Sequence, residues 1–148
     1  MDEAKELILV SACLLGVECR YDGQVKSNKS VAQLNERFVV IPVCPERLGG
    51  LLTPRVPAER IGPCVVDAKG VDVTEFFVLG AQRVLELVNR MGVKKAVMRS
   101  KSPSCGFGKI FDGTFSGTLV DGHGLTVEAL LENGVEVYSE ADVARLLS

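Results

Sequence analysis

Three short apolar runs, the second of them largely β-branched, constrain this chain more than anything else in it: Leu7-Ile8-Leu9-Val10-Ser11-Ala12, Phe38-Val39-Val40-Ile41-Pro42-Val43 and Lys95-Ala96-Val97-Met98. Each is short, as strands are, and apolar without a break. Unbroken apolar character, in place of strict alternation, marks strands of a parallel sheet covered on both faces. Pro42 has no amide proton to give a ladder, so it belongs near the end of its strand. The third strand is expected over Ala96 to Arg99, and Val135-Glu136-Val137-Tyr138 reads as a fourth.

Helical patterns separate these runs. Apolar residues recur with helical period from Phe76 to Met91, after a stretch resembling a capping box at Asp72 to Glu75 and before a glycine at Gly92, which predicts a helix over Thr74 to Met91. Shorter helices are expected over Asn28 to Leu34, over Leu125 to Glu132, and over Glu140 to Leu147 behind a Ser139 cap. Strands alternating with helices predict an α/β fold, a three-layer sandwich with a mainly parallel sheet of the flavodoxin or Rossmann kind and right-handed crossovers.

The segment from Arg47 to Val73 is punctuated by Gly49-Gly50, Pro54, Pro57, Gly62-Pro63 and Gly70, and reads as a long excursion over the sheet. A small hairpin through Val65-Val66 and Val71-Asp72-Val73 is expected within it, with Arg55 and Glu59 paired as a brace. Long connections in compact domains are commonly functional loops. Lys109 to Phe115 is expected to form a tight turn or hairpin, with the Gly117, Gly122 and Gly124 region continuing as loop and His123 exposed in it.

With 148 residues the chain suffices for one domain, 1–148, with a real core. Lys and Arg total 17 against 19 Asp and Glu, a net charge of −2, so no extended nucleic-acid binding is expected. No run is long and apolar enough to span a bilayer, and the acidic start Met1-Asp2-Glu3-Ala4-Lys5-Glu6 lacks a signal-peptide pattern, which gives the expectation of a soluble, cytoplasmic protein. Nothing in the sequence fixes an oligomeric state.

Five cysteines without a secretion signal point to free, metal-bound or catalytic thiols before a disulfide framework. In open parallel sheets, ligands bind beyond the carboxyl ends of the strands, and Cys13, Cys44 and Cys105 each follow a predicted strand at that edge. Three thiols therefore converge. No C-x-x-C pair of the structural zinc type is present, and the single histidine leaves thiolates and carboxylates as the donor set. Cys19 and Cys64 are either a fourth ligand or plain thiols. A cubane iron–sulfur cluster on three cysteines keeps one iron open to substrate as a Lewis acid.

One rival reading starts from Cys13. Strand, Cys13, then Arg20 looks like the C-x5-R loop of low-molecular-weight phosphatases and arsenate reductases, but the spacing is one residue too long for a loop that must wrap a phosphate closely. A second rival is a non-enzymatic protein that stores or senses iron or sulfide.

The loop Lys101-Ser102-Pro103-Ser104-Cys105-Gly106-Phe107-Gly108 has a composition suited to a site: a thiol between hydroxyls, with a proline and glycines to shape the backbone. Ser102 and Ser104 either contact substrate or cap the turn. Glu46, two residues past Cys44, is either a general acid or base or an exposed loop carboxylate.

Ser11-Ala12-Cys13-Leu14-Leu15-Gly16 with Tyr21-Asp22-Gly23, Pro42-Val43-Cys44-Pro45-Glu46 with Gly49-Gly50, Pro54-Arg55-Val56-Pro57-Ala58-Glu59, Ser102-Pro103-Ser104-Cys105-Gly106 and Asp112-Gly113-Thr114-Phe115 together resemble the thiouracil desulfidase family. The resemblance runs from about Leu7 to the C-terminus. It implies an oxygen-sensitive [4Fe-4S] cluster on Cys13, Cys44 and Cys105, and a non-redox replacement of thiocarbonyl sulfur by water that releases hydrogen sulfide. It implies Glu46 and Ser102 as catalytic residues, with Ser104 the fallback for the serine, and Ser104, Tyr21 and Asp22 as substrate contacts. Some members carry an extra domain and act on thiolated nucleosides or nucleotides. The absence of such a domain here favours a small free thioheterocycle such as 2-thiouracil.

Overall fold

The computed structural model describes residues 5–15 and 29–147. Its centre is a four-stranded parallel sheet of β1 (Glu6–Ser11), β2 (Phe38–Val43), β5 (Lys95–Met98) and β8 (Glu136–Ser139), in the order β2-β1-β5-β8. Two of the three apolar runs, β1 and β5, take the inner places, as strands buried on both faces should, while the third, β2, lies at an edge. Along β1, Leu9 points to one face and Ile8 and Val10 to the other; along β5, Ala96 and Met98 oppose Val97 in the same way.

On the Leu9 side the core continues into Val84 and Val88 of α3 (Thr74–Met91) and Val127 and Leu130 of α4 (Leu125–Glu132). On the Val10 side it includes Val31 of α1 (Lys29–Ala32), Leu34 of the 3-10 turn Gln33–Glu36 and Val143 of α5 (Val143–Leu147). The three-layer α/β expectation is met. Pro42 is tolerated because β2 is an edge strand, bonded to β1 alone within this sheet, and Val39 on it is 47% exposed.

Helix α3 has the predicted bounds, and Phe77, Gly80, Ala81, Val84 and Val88 are its buried stripe. The cap differs from the expected box. The Asp72 carboxylate accepts the Thr74 amide at 2.9 Å and the Thr74 hydroxyl at 2.5 Å, while that hydroxyl accepts the Val65 amide at 2.8 Å and ties the helix to the excursion. The last predicted helix opens as a 3-10 turn, Glu140–Asp142, before α5.

Within the excursion, α2 (Pro45–Leu48) follows Cys44 directly, and a hairpin of β3 (Ala58–Ile61) and β4 (Cys64–Asp67) turns at Gly62-Pro63. The expected pairing of Val66 with Asp72 exists as one bridge on the other edge of β4. The dominant partner is β3, whose sequence carries an alternation too short to read. A second hairpin joins β6 (Lys109–Phe111) to β7 (Leu119–Asp121), so the expected loop past Gly117 is in part a strand.

Candidate functional site

The strand order reverses between β1 and β5, which opens a crevice at their carboxyl ends. β1 runs into a 3-10 turn, Ala12–Leu14, that holds Cys13 with its side chain buried. β2 ends at Cys44, which stands in extended backbone immediately before Pro45 at the first turn of α2. That proline starts the helix at once, because its missing amide is one the first turn cannot use anyway. Glu46 thereby falls on the first turn of α2, beside the crevice.

The third thiol comes on the loop after β5, and the structure explains its odd composition. The Ser102 hydroxyl accepts the amides of Ser104 at 3.1 Å and Cys105 at 3.0 Å, coiling the segment into a capped turn. The amides that open α4 bond its carbonyls: Leu125 to Pro103 at 2.8 Å and Thr126 to Ser104 at 3.0 Å. A Cβ on Gly106 would stand 2.5 Å from the Ser102 oxygen and 2.6 Å from an Ile110 methyl, so no other residue fits beneath the turn. Glu140 takes the Ser100 amide at 2.8 Å and its hydroxyl at 2.5 Å, fixing the start of the loop.

Cys13, Cys44 and Cys105 line one narrow cleft together with Ser11, Glu46, Arg99 and Ser102. Glu46, Arg99 and Ser102 also belong to the wall of an adjoining chamber of about 660 Å³, bounded further by Arg55, Phe77, Lys101, Phe111 and Phe115. The thiol cleft and the chamber thus share three polar side chains at their junction. Ser104 is buried behind Ser102, with the two hydroxyl oxygens 3.0 Å apart.

Burial pushes the Cys105 thiol far above its ordinary value. A hydrogen bond with Ser11 opposes that rise, the neighbouring Cys13 adds to it, a hydrogen bond with Ser104 opposes it, and Glu46 adds to it. A thiol in such surroundings ionises when a cation lies against it. The donor set fits an iron–sulfur cluster: three soft ligands share one cleft, and none is a hard carbonyl cage. Among the described residues no three His, Cys, Asp or Glu side chains are gathered around a single ion. Ligands to three corners of a cubane stand farther apart than ligands to one ion, so both observations agree.

Other expected contacts lie elsewhere. Cys64 sits on β4 away from the cleft walls, while Cys19, Tyr21 and Asp22 fall outside the described residues. Arg55 does not serve as the expected brace on Glu59: its guanidinium pairs with Glu46, and Glu59 accepts the amides of Gly113 at 3.0 Å and Phe115 at 3.1 Å. His123 is half-buried, its Nδ1 accepting the Gly108 amide at 3.0 Å and its ring stacked on Phe107 at 5.2 Å. Sequence reasoning missed Ser11, Arg99 and Glu140 as parts of the site. Only the position of Ser11 and Arg99 at strand ends signalled them.

The family model described as 2-thiouracil desulfurase matches residues 8–142. The chain belongs to the 2-thiouracil desulfurase family. An uncharacterized protein of Bacillus subtilis (strain 168), YbbK, is 38% identical over 151 residues, covering 95% of this chain and 100% of that one. Among solved structures, the [4Fe-4S]-dependent thiouracil desulfidase TudS is 46% identical with a TM-score of 0.89, covering 97% of this chain and 96% of that chain. Membership in the desulfurase family favours neither the phosphatase-like reading of Cys13 nor a storage or sensing role.

Proposed function

We propose that this protein is a [4Fe-4S]-dependent desulfidase that converts a small thiolated heterocycle such as 2-thiouracil, with water, into uracil and hydrogen sulfide. Cys13, Cys44 and Cys105 would hold the cluster. When bound, it supplies a thiophilic Lewis-acid site for the thiocarbonyl sulfur. The observation that carries the reading is the junction of the three-thiol cleft with the chamber at Glu46, Arg99 and Ser102. A substrate in the chamber then meets the thiol cleft, a carboxylate and a hydroxyl together.

The reaction is a hydrolysis and needs no electrons. Water adds to the thiocarbonyl carbon, the carbon–sulfur bond breaks, and the two protons of water end on the departing sulfide. Glu46 would take a proton from the water and hand it on, a role supported by its position beside the thiol cleft and by the Arg55 guanidinium paired with its carboxylate. Ser102 accepts two backbone amides, so its own proton goes to the Ser104 hydroxyl at 3.0 Å, and a substrate group would take that proton in place of Ser104. Ser104 supports Ser102 from behind through the contact of their hydroxyls.

Thiols of this kind stay reduced in the cytoplasm, where we place the reaction. No helix among the described residues is long and apolar enough to cross a membrane. The test is anaerobic reconstitution with iron and sulfide, followed by incubation with 2-thiouracil. Stoichiometric uracil and hydrogen sulfide are expected; a fully loaded protein that releases neither would overturn the reading.

A further inference from the structure

Two non-glycine residues among those described have positive φ, Lys101 at 71° and Phe115 at 57°, and both line the chamber. Left-handed backbone is costly for residues with a Cβ and persists where its surroundings hold it. At Phe115 the holding groups are evident. The buried Glu59 carboxylate accepts the amides of Gly113 and Phe115 with the same oxygen, and Asp112 accepts the Thr114 amide at 2.9 Å and hydroxyl at 2.6 Å.

Backbone geometry gives no reason for a phenylalanine there, since glycine would meet the demand without strain. The ring is only partly covered, being 39% exposed on the chamber wall. A carboxylate is buried to hold this turn, where a cation would be its usual partner. What the arrangement delivers is an aromatic side chain held on the wall of the chamber, which Phe111 also lines.

We propose that Phe115 is a substrate-contacting residue that stacks on the planar heterocycle, and that Glu59 is the positioning residue that holds it there. This rests on the desulfidase reading for the identity of the ring. A flat, polarisable ring is the ligand an exposed phenyl face recognises, and such stacking tolerates changes at the ring's edge. Phe115 would therefore set affinity for the ring, while Glu46 and Ser102 act at the carbon–sulfur bond.

The experiment compares reconstituted wild type, Phe115→Leu and Phe115→Trp. Leucine keeps apolar bulk and removes the flat face; tryptophan keeps the face. Expected for Phe115→Leu is a rise of about tenfold in KM for 2-thiouracil with kcat within about twofold, as loss of one stacking contact implies. Uracil binding, followed by calorimetry on the same preparations, should weaken by a similar factor while iron content and melting temperature stay unchanged. Phe115→Trp should bind as wild type does. Wild-type uracil affinity in Phe115→Leu would overturn the proposal, as would wild type that binds no uracil. Wild type that binds uracil but releases no sulfide would overturn the desulfidase reading and leave the stacking role supported by the variants.

Discussion

The Arg55 guanidinium is ion-paired with the Glu46 carboxylate, nine residues back along the chain, where the chamber wall meets the thiol cleft. Arg55 is itself anchored by the Leu52 carbonyl at 3.1 Å and the Thr53 hydroxyl at 3.2 Å. The pair therefore ties the far side of the excursion to the first turn of α2, and sets which way the Glu46 oxygens face.

Arg55→Ala should then act through Glu46. We expect kcat/KM for sulfide release to fall by about 10²-fold, the scale on which misplaced catalytic groups cost rate, with iron content unchanged. Glu46→Gln should cost at least as much, since it removes the carboxylate proposed as the acid–base group. Steady-state sulfide release, with iron analysis of each preparation, checks both; an Arg55→Ala enzyme of full activity would remove the orienting role.

The helix that carries Glu46 lies on α3 with glycines at the contact. A Cβ on Gly80 would stand 2.0 Å from the Pro45 carbonyl oxygen, and one on Gly49 would stand 1.8 Å from that of Phe76. Backbone meets backbone there, and no side-chain rotation relieves an added methyl. Gly80→Ala should destabilise the protein by about 1–3 kcal/mol in denaturant titration and lower sulfide release, because Pro45 and Glu46 must move. The exposed neighbour Gln82 is the control, and Gln82→Ala should stay within about 0.5 kcal/mol of wild type.

Asp72 governs the start of α3 and does not itself line the chamber or the thiol cleft. Its bonds from the Thr74 hydroxyl and amide hold its carboxyl below the ordinary value. A depressed folded-state pKa contributes stability above the unfolded pKa and loses it as pH falls through the folded one. Asp72→Ala should therefore lower Tm at neutral pH, and the gap to wild type should close as pH drops through the carboxylate range. Melting curves across pH read this directly, and sulfide release at neutral pH should be unaffected.

The frame of the fold was legible because its strands are buried on both faces, so apolar runs such as Leu7 to Ala12 carry the signal without help from partners. The meeting of Cys13, Cys44 and Cys105 was legible for a related reason: parallel strands deliver their carboxyl ends to one edge. The hairpins were less so. Ala58–Ile61 is four residues long and mixed in character, and its pairing with Cys64–Asp67 depends on the Gly62-Pro63 turn more than on pattern. Ion pairs were least legible. Arg55 has Glu59 only four residues on and Glu46 nine residues back, and the path of the excursion decides for Glu46. The bond from Glu140 to Ser100 spans forty residues and leaves no local trace.

The account turns on three thiols acting as one ligand set, and the iron and acid-labile sulfide content of anaerobically reconstituted Cys105→Ser, measured beside Cys64→Ser, tests it most directly. Serine replaces one buried thiol of the cleft in the first protein and a thiol outside the cleft in the second. A full [4Fe-4S] complement in Cys64→Ser and almost none in Cys105→Ser is the expected result. A fully loaded, stable cluster in Cys105→Ser would contradict the account.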